Sequence, residues 1–246
     1  MNYADIKTVD VQDGEGIRVS LYVSGCHSHC KGCHNKEAWD FNYGKKFDDS
    51  TIEYILELLD HEYIEGLSLL GGEPLELINQ QGLVKLVNEV KKKYPNKNIW
   101  CYTGYDFEKD VLNMYKEYEF SKKLLDNIDI MVDGEFVEEK KLADLKFRGS
   151  TNQRKIDVKA SLKENKVVQL KFGDESRYEN KEPRIVLFEE YVTKSNNKNI
   201  EKIPVAAGRV YETNEQPEEI TDIQINEPEI KIAAKTNNNI PKENLD

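Results

Sequence analysis

The first two-thirds of the chain carries apolar residues in short runs and helical stripes, taken in turn. Residues 17–23 form an apolar, β-branched run that predicts a strand leading straight into Gly25 and Cys26. Ser50 with Glu53 reads as a capping-box start. Behind it Ile52, Ile55, Leu56 and Leu59 fall on one helical face. A short apolar strand over 66–70 stops at Gly71-Gly72-Glu73-Pro74. Leu83, Leu86, Val87, Val90 and Tyr94 then recur at helical spacing, and Pro95 with Asn96 ends that helix. Residues 98–102 predict a strand ending at Thr103-Gly104. Asp106 is expected to cap a helix running to about Tyr118, and 128–132 a strand ending at Asp133-Gly134.

Strand, helix, strand at spacings of roughly 25 to 35 residues implies right-handed crossovers, hence an α/β fold with a parallel sheet. The cysteine loop, Gly71-Gly72, Thr103-Gly104 and Asp133-Gly134 all follow strand C-terminal ends. Parallel sheets and barrels build their sites on that edge, so these four loops are expected to share one site. From about Lys159 the pattern fades, with no Cys, no Trp and no clear helical stripe. Short β-like runs remain at 167–172, 184–192 and 203–210, and the Asn- and Lys-rich end at 230–246 has the composition of a disordered tail. The expected division is residues 1–158 as one domain and 159–246 as a small β-rich, partly disordered extension. The extension reads as a loose appendage or as a docking module. Removing it from about residue 160 is expected to leave the chemistry of the first part in place.

Composition narrows the partners. The 246 residues carry a net charge of −11, with 38% hydrophobic and 33% charged residues. An acidic balance argues against nucleic acid or an anionic membrane, which both need a basic footprint. No apolar stretch approaches the ~20 residues of a membrane span, and Met1 to Asp10 lacks the pattern of a secretory leader. The expectation is a soluble, cytoplasmic protein.

The cysteines carry the first chemical information. Cys26, Cys30 and Cys33 stand in one C-x3-C-x2-C loop, and Cys101 lies far away on the strand over 98–102. An odd, crowded set is a poor disulfide framework and a good soft-metal site. Three thiolates fit one side of an iron–sulfur cluster and leave one iron open. A closed zinc site is the alternative, with His27, His29 or His34 as fourth ligand. Cys101 reads as a small buried hydrophobe, and His61 as a surface or cap residue.

At these motifs the chain resembles the radical S-adenosylmethionine enzymes, and within them most closely the anaerobic ribonucleoside-triphosphate reductase activating proteins. Their cysteine signature is followed by an aromatic residue, a position held here by His34. Residues 13–21, 35–41 with Trp39, the Gly71-Gly72-Glu73-Pro74 motif, 100–105, 132–136 and 147–154 match further blocks in order. The resemblance covers residues 1 to about 158. It implies a partial parallel β/α barrel and a 4Fe-4S cluster on Cys26, Cys30 and Cys33. It implies S-adenosylmethionine contacts at Gly32, Cys33, His34, Gly71, Gly72, Glu73 and Asp133, with no catalytic side chain beyond cluster and cofactor. Reductive cleavage of S-adenosylmethionine would then generate a glycyl radical on the large subunit of an anaerobic ribonucleotide reductase. A reduced donor such as flavodoxin would supply the electron. Another radical activase, a deazaguanine-type synthase and a non-enzymatic, zinc-stabilised interaction protein are the competing readings.

Overall fold

The computed structural model describes residues 1–174. The runs expected as strands at 184–192 and 203–210, and the tail at 230–246, lie outside the described residues. Eight strands form one mixed sheet: β1 (Asn2–Asp10), β2 (Ile17–Val23), β3 (Lys45–Lys46), β4 (Ile64–Gly71), β5 (Asn98–Tyr102), β6 (Ile130–Asp133), β7 (Arg154–Asp157) and β8 (Gln169–Leu170). Their order across the sheet is β3-β1-β2-β4-β5-β6-β7-β8. The central strands β2, β4, β5 and β6 are parallel, as expected, and antiparallel pairs flank them on both sides. The helices α1 (Asp49–Leu59), α2 (Leu77–Lys93), α3 (Leu112–Glu117) and α4 (Glu119–Leu125) lie in the connections between β3 and β6, and α5 (Val158–Glu164) follows β7. The fold is therefore mixed α/β.

Register explains the core. Val19, Leu67 and Ile99 are paired in a row across the sheet, as are Leu21, Leu69, Cys101, Met131 and Ile156. These residues point to one face and are buried with Ile52, Ile55 and Leu59 of α1 and Leu83, Leu86, Val87 and Val90 of α2. Strand side chains alternate, so the other face presents Arg18, Ser20 and Tyr22 of β2, Ser68 of β4, Trp100 and Tyr102 of β5, and Lys155 of β7. On that face Trp100, Val132 and Phe172 form a second, separate cluster.

Several local expectations need correction. The cap of α1 is Asp48, not Ser50: its carboxylate accepts from the Thr51 backbone at 3.2 Å, while the Thr51 hydroxyl returns to the Asp48 N–H. Ser50 is already helical and donates to the same carboxylate at 2.6 Å. The cap falls to Asp48 because its extended backbone leaves the carboxylate facing the free amides of the first turn. The helix expected from Asp106 to Tyr118 is, by contrast, borne out: the Asp106 carboxylate accepts the Lys109 N–H at 3.0 Å as its cap, the helix opens as a π-turn over Phe107–Val111 and continues as α3, and Tyr118 ends it and starts α4. The expected boundary at 158/159 falls on the first turn of α5. From there α5 and β8 continue on the same sheet, with Val158 and Phe172 buried. Among the described residues no helix is long and apolar enough to cross a membrane.

Candidate functional site

The cysteine loop begins where β2 ends. Gly25 turns the chain at φ +97°, and a Cβ there would strike the Phe41 ring. Gly25 donates its N–H to Ala38 at 2.8 Å and Cys26 donates to Trp39 at 3.2 Å. The short 3-10 helix Lys36–Trp39 thus holds the loop from behind. Cys26 is buried, Cys30 and Cys33 are half-buried, and all three are free thiols. Cys33 donates its backbone N–H to Cys30 at 3.1 Å, closing a turn through Gly32 at φ +75°. Lys31 pairs with Glu138 at 3.1 Å and Glu139 at 3.5 Å, which pins the loop tip to the segment after β6.

The glycine motif at the end of β4 meets this loop through its backbone. Gly72 donates to Val23 at 2.7 Å and Glu73 donates to Gly25 at 2.8 Å. A Cβ on Gly72 would lie 2.5 Å from the Gly25 oxygen, and one on Gly71 2.7 Å from Val23. Both glycines are needed for the chain's own close approach, whatever a ligand requires. Glu73 is buried, and its carboxylate accepts from Leu75 and Gly104 N–H groups at 2.9 and 2.8 Å. Burial still pushes its pKa up to about 7, against the pull of those amides and the Thr103 hydroxyl. Asn79 completes the brace, its fully buried amide donating to Ser24 and Glu73 carbonyls at 3.0 Å each. The ends of β2, β4 and β5 are therefore laced into one edge.

The donor chemistry of this edge suits a soft metal cluster. Burial raises the Cys26 thiol, and burial with the neighbouring Glu135 carboxylate pushes Cys30 up to about 11. Metal uptake at Cys26 and Cys30 must therefore release protons. Among the described residues no group of three or more His, Cys, Asp and Glu side chains is gathered closely enough for a single ion. A four-iron cluster is wider than one ion and takes thiolates spread around it, so three sulfurs on one loop fit that group. The histidines have other partners. His27 Nδ1 lies 2.8 Å from Glu76 and its ring packs on Phe41. His29 stacks on Trp39 with centroids 4.5 Å apart, and His34 tilts toward Phe136 at 6.0 Å. Cys101 is fully buried in the core, as expected of a small hydrophobe.

Asp133, at the end of β6, is buried with both oxygens engaged. Arg154 reaches them at 2.5 and 3.0 Å, and Phe107 N–H donates at 2.9 Å. It anchors the turn after Gly104 to the sheet edge; Gly134 N–H adds a bond to Tyr105 at 3.1 Å. Glu76, Asn79 and Glu135 were not singled out in the sequence, because their roles come from contacts with residues distant along the chain. The polar sheet face adjoins the same edge. Arg18 is fully buried there, bonding Ser68 at 2.7 Å and Leu67 O at 2.8 Å, with its guanidinium 5.4 Å from the Trp100 ring. Tyr22 donates to Asp13, whose pKa burial and the adjacent Asp10 push up to about 6.

Comparison with known proteins agrees with this geometry. Residues 12–156 match the model of the 4Fe-4S single cluster domain family. The chain is 40% identical over 155 residues to an anaerobic ribonucleoside-triphosphate reductase-activating protein of Haemophilus influenzae, covering 62% of this chain and 96% of that relative. Proteins of the same name from Pasteurella multocida and Escherichia coli are each 39% identical over 155 residues, with 95% and 96% of their lengths covered.

Proposed function

From the premise that the chain belongs to the 4Fe-4S single cluster domain family, alongside the anaerobic ribonucleoside-triphosphate reductase-activating proteins, we propose that it activates such a reductase by installing a glycyl radical. The 4Fe-4S cluster and S-adenosylmethionine, when bound, supply one-electron cleavage of the sulfonium to methionine and a 5′-deoxyadenosyl radical, which takes hydrogen from a glycine Cα. Cys26, Cys30 and Cys33 would hold the cluster, and three thiolates for four irons would leave one iron for the cofactor. The observation that carries the reading is the loop of three free thiols laced by backbone hydrogen bonds to Gly72 and Glu73.

Each remaining site residue has a part in this reading. Gly71, Gly72 and Glu73 offer backbone to the cofactor's amino end, since the Glu73 carboxylate is already committed to Leu75 and Gly104. Gly32, Cys33 and His34 would lie toward the adenine of the bound cofactor. Asp133 acts through its hold on Arg154 and Phe107 rather than by direct contact. The parallel order β2-β4-β5-β6 supports a partial barrel with the cysteine loop at the end of its first parallel strand. A reduced donor such as flavodoxin supplies the electron, and the setting is the cytoplasm.

The test uses anaerobically purified protein. About four irons, with an EPR signal that shifts on adding S-adenosylmethionine, are expected. Mixing with the reductase should then give a glycyl-radical signal. Cys26→Ala, Cys30→Ala and Cys33→Ala should each abolish cofactor cleavage. One zinc and no iron after anaerobic reconstitution would overturn the reading.

A further inference from the structure

The start of the extension is built into the loop that flanks the cysteines. Asp174 is fully buried, and its two oxygens take the Arg148 guanidinium and the Lys146 N–H, both at 2.9 Å. The Arg148 guanidinium lies 4.0 Å from the Phe172 ring centroid. Phe172 is buried against Trp100 and Val132 on the polar face of the sheet. Between these anchors Phe147 sits at φ +54° and meets Trp100 edge-on at 5.8 Å. A non-glycine residue stays in that conformation only where its surroundings over-determine it.

The contacts run on to the cysteines. A Cβ on Gly149 would lie 2.9 Å from the Phe136 ring, so that ring rests directly on the Gly149 backbone. Ser150 accepts the Val137 N–H at 3.2 Å. Phe136 faces His34 at 6.0 Å between ring centroids, and Glu138, two residues on, pairs with Lys31 of the cysteine loop at 3.1 Å. The family match stops at residue 156, so Phe172 and Asp174 lie beyond it.

We propose that Phe172 and Asp174 are a clamp that this chain adds to the site, with Asp174 a positioning residue that seats Phe136 on the cysteine loop through Lys146, Arg148 and Gly149. Breaking a buried ion pair leaves an uncompensated charge, so loss of Asp174 releases the loop rather than merely weakening it. The assignment rests on the cysteine loop being the cluster site.

The experiment compares full-length wild type with Asp174→Ala and Asp174→Asn. In metal-free protein, amide hydrogen exchange at 146–150 and 135–138 should be at least about tenfold faster in Asp174→Ala, with α2 unchanged. After reconstitution, that variant should keep wild-type iron while kcat for S-adenosylmethionine cleavage falls about tenfold. Asp174→Asn, whose amide oxygen still accepts from Lys146 but which leaves Arg148 without its counter-charge, should recover only part of both. Faster exchange confined to 170–174, a uniform rise across the sheet, or unchanged kcat at full iron content would each overturn the clamp. The metal-free arm decides the clamp separately from the loop's choice of metal, so its failure is distinguishable from failure of the cluster reading.

Discussion

The two faces of the central sheet are made by the same strands and behave as different materials. On one, Leu21, Leu69, Cys101, Met131 and Ile156 meet helices α1, α2 and α4 in an unbroken apolar layer. On the other, Arg18, Ser20, Tyr22, Ser68, Tyr102 and Lys155 build a buried polar layer around Trp100. The first face holds the fold by area removed from water. The second holds it by the directed bonds of Arg18, Tyr22, Ser68 and Lys155, and it adjoins the edge where the cysteines sit. Strand alternation lets one sequence stretch serve both purposes, since odd and even positions never share a neighbour.

Substitutions separate the two. The largest effect is expected from Leu69→Ala on the apolar face, a loss of about 4 kcal/mol in chemical denaturation. Arg18→Met on the polar face keeps the volume but removes the buried donors to Ser68 and to the Leu67 carbonyl, costing about 2 to 3 kcal/mol. A cost as large as that of Leu69→Ala would mean the two faces are not energetically distinct.

Titration sharpens the contrast further. Asp13 has a folded pKa of about 6, raised from 3.8, so the folded state holds a proton that the unfolded state has lost. Its contribution is complete below about pH 4 and is lost as pH rises to about 6, worth about 2 kcal/mol. Asp13→Asn should flatten that part of the stability profile, because the amide still accepts from Tyr22. The smallest effect is expected from Cys101→Ala, about 1 kcal/mol with iron content unchanged. Loss of iron would show that the apolar face takes part in the site.

What could be read from the sequence follows the same division. Strands β2 and β5 appear at their full lengths because β-branched and aromatic residues recur along both. Strand β1 escaped notice because Asn2–Asp10 is largely polar and mostly half-exposed. Helix α5 escaped because it buries only Val158 and Ser161. The convergence of the four loops was legible because each follows a strand end. The pairs His27–Glu76 and Arg148–Asp174 were not, since they join residues that only the completed fold brings together.

The sheet order has a consequence for solubility. Among the described residues both outer strands, β3 and β8, are two residues long, and both residues of β3 are exposed lysines. A flat, bare strand invites another chain to pair with it and so begins aggregation. Here one rim is too short and too charged to template a neighbour. On the other, β8 covers half of β7, leaving little backbone to recruit a foreign strand even at the concentrations of an overexpressing cell.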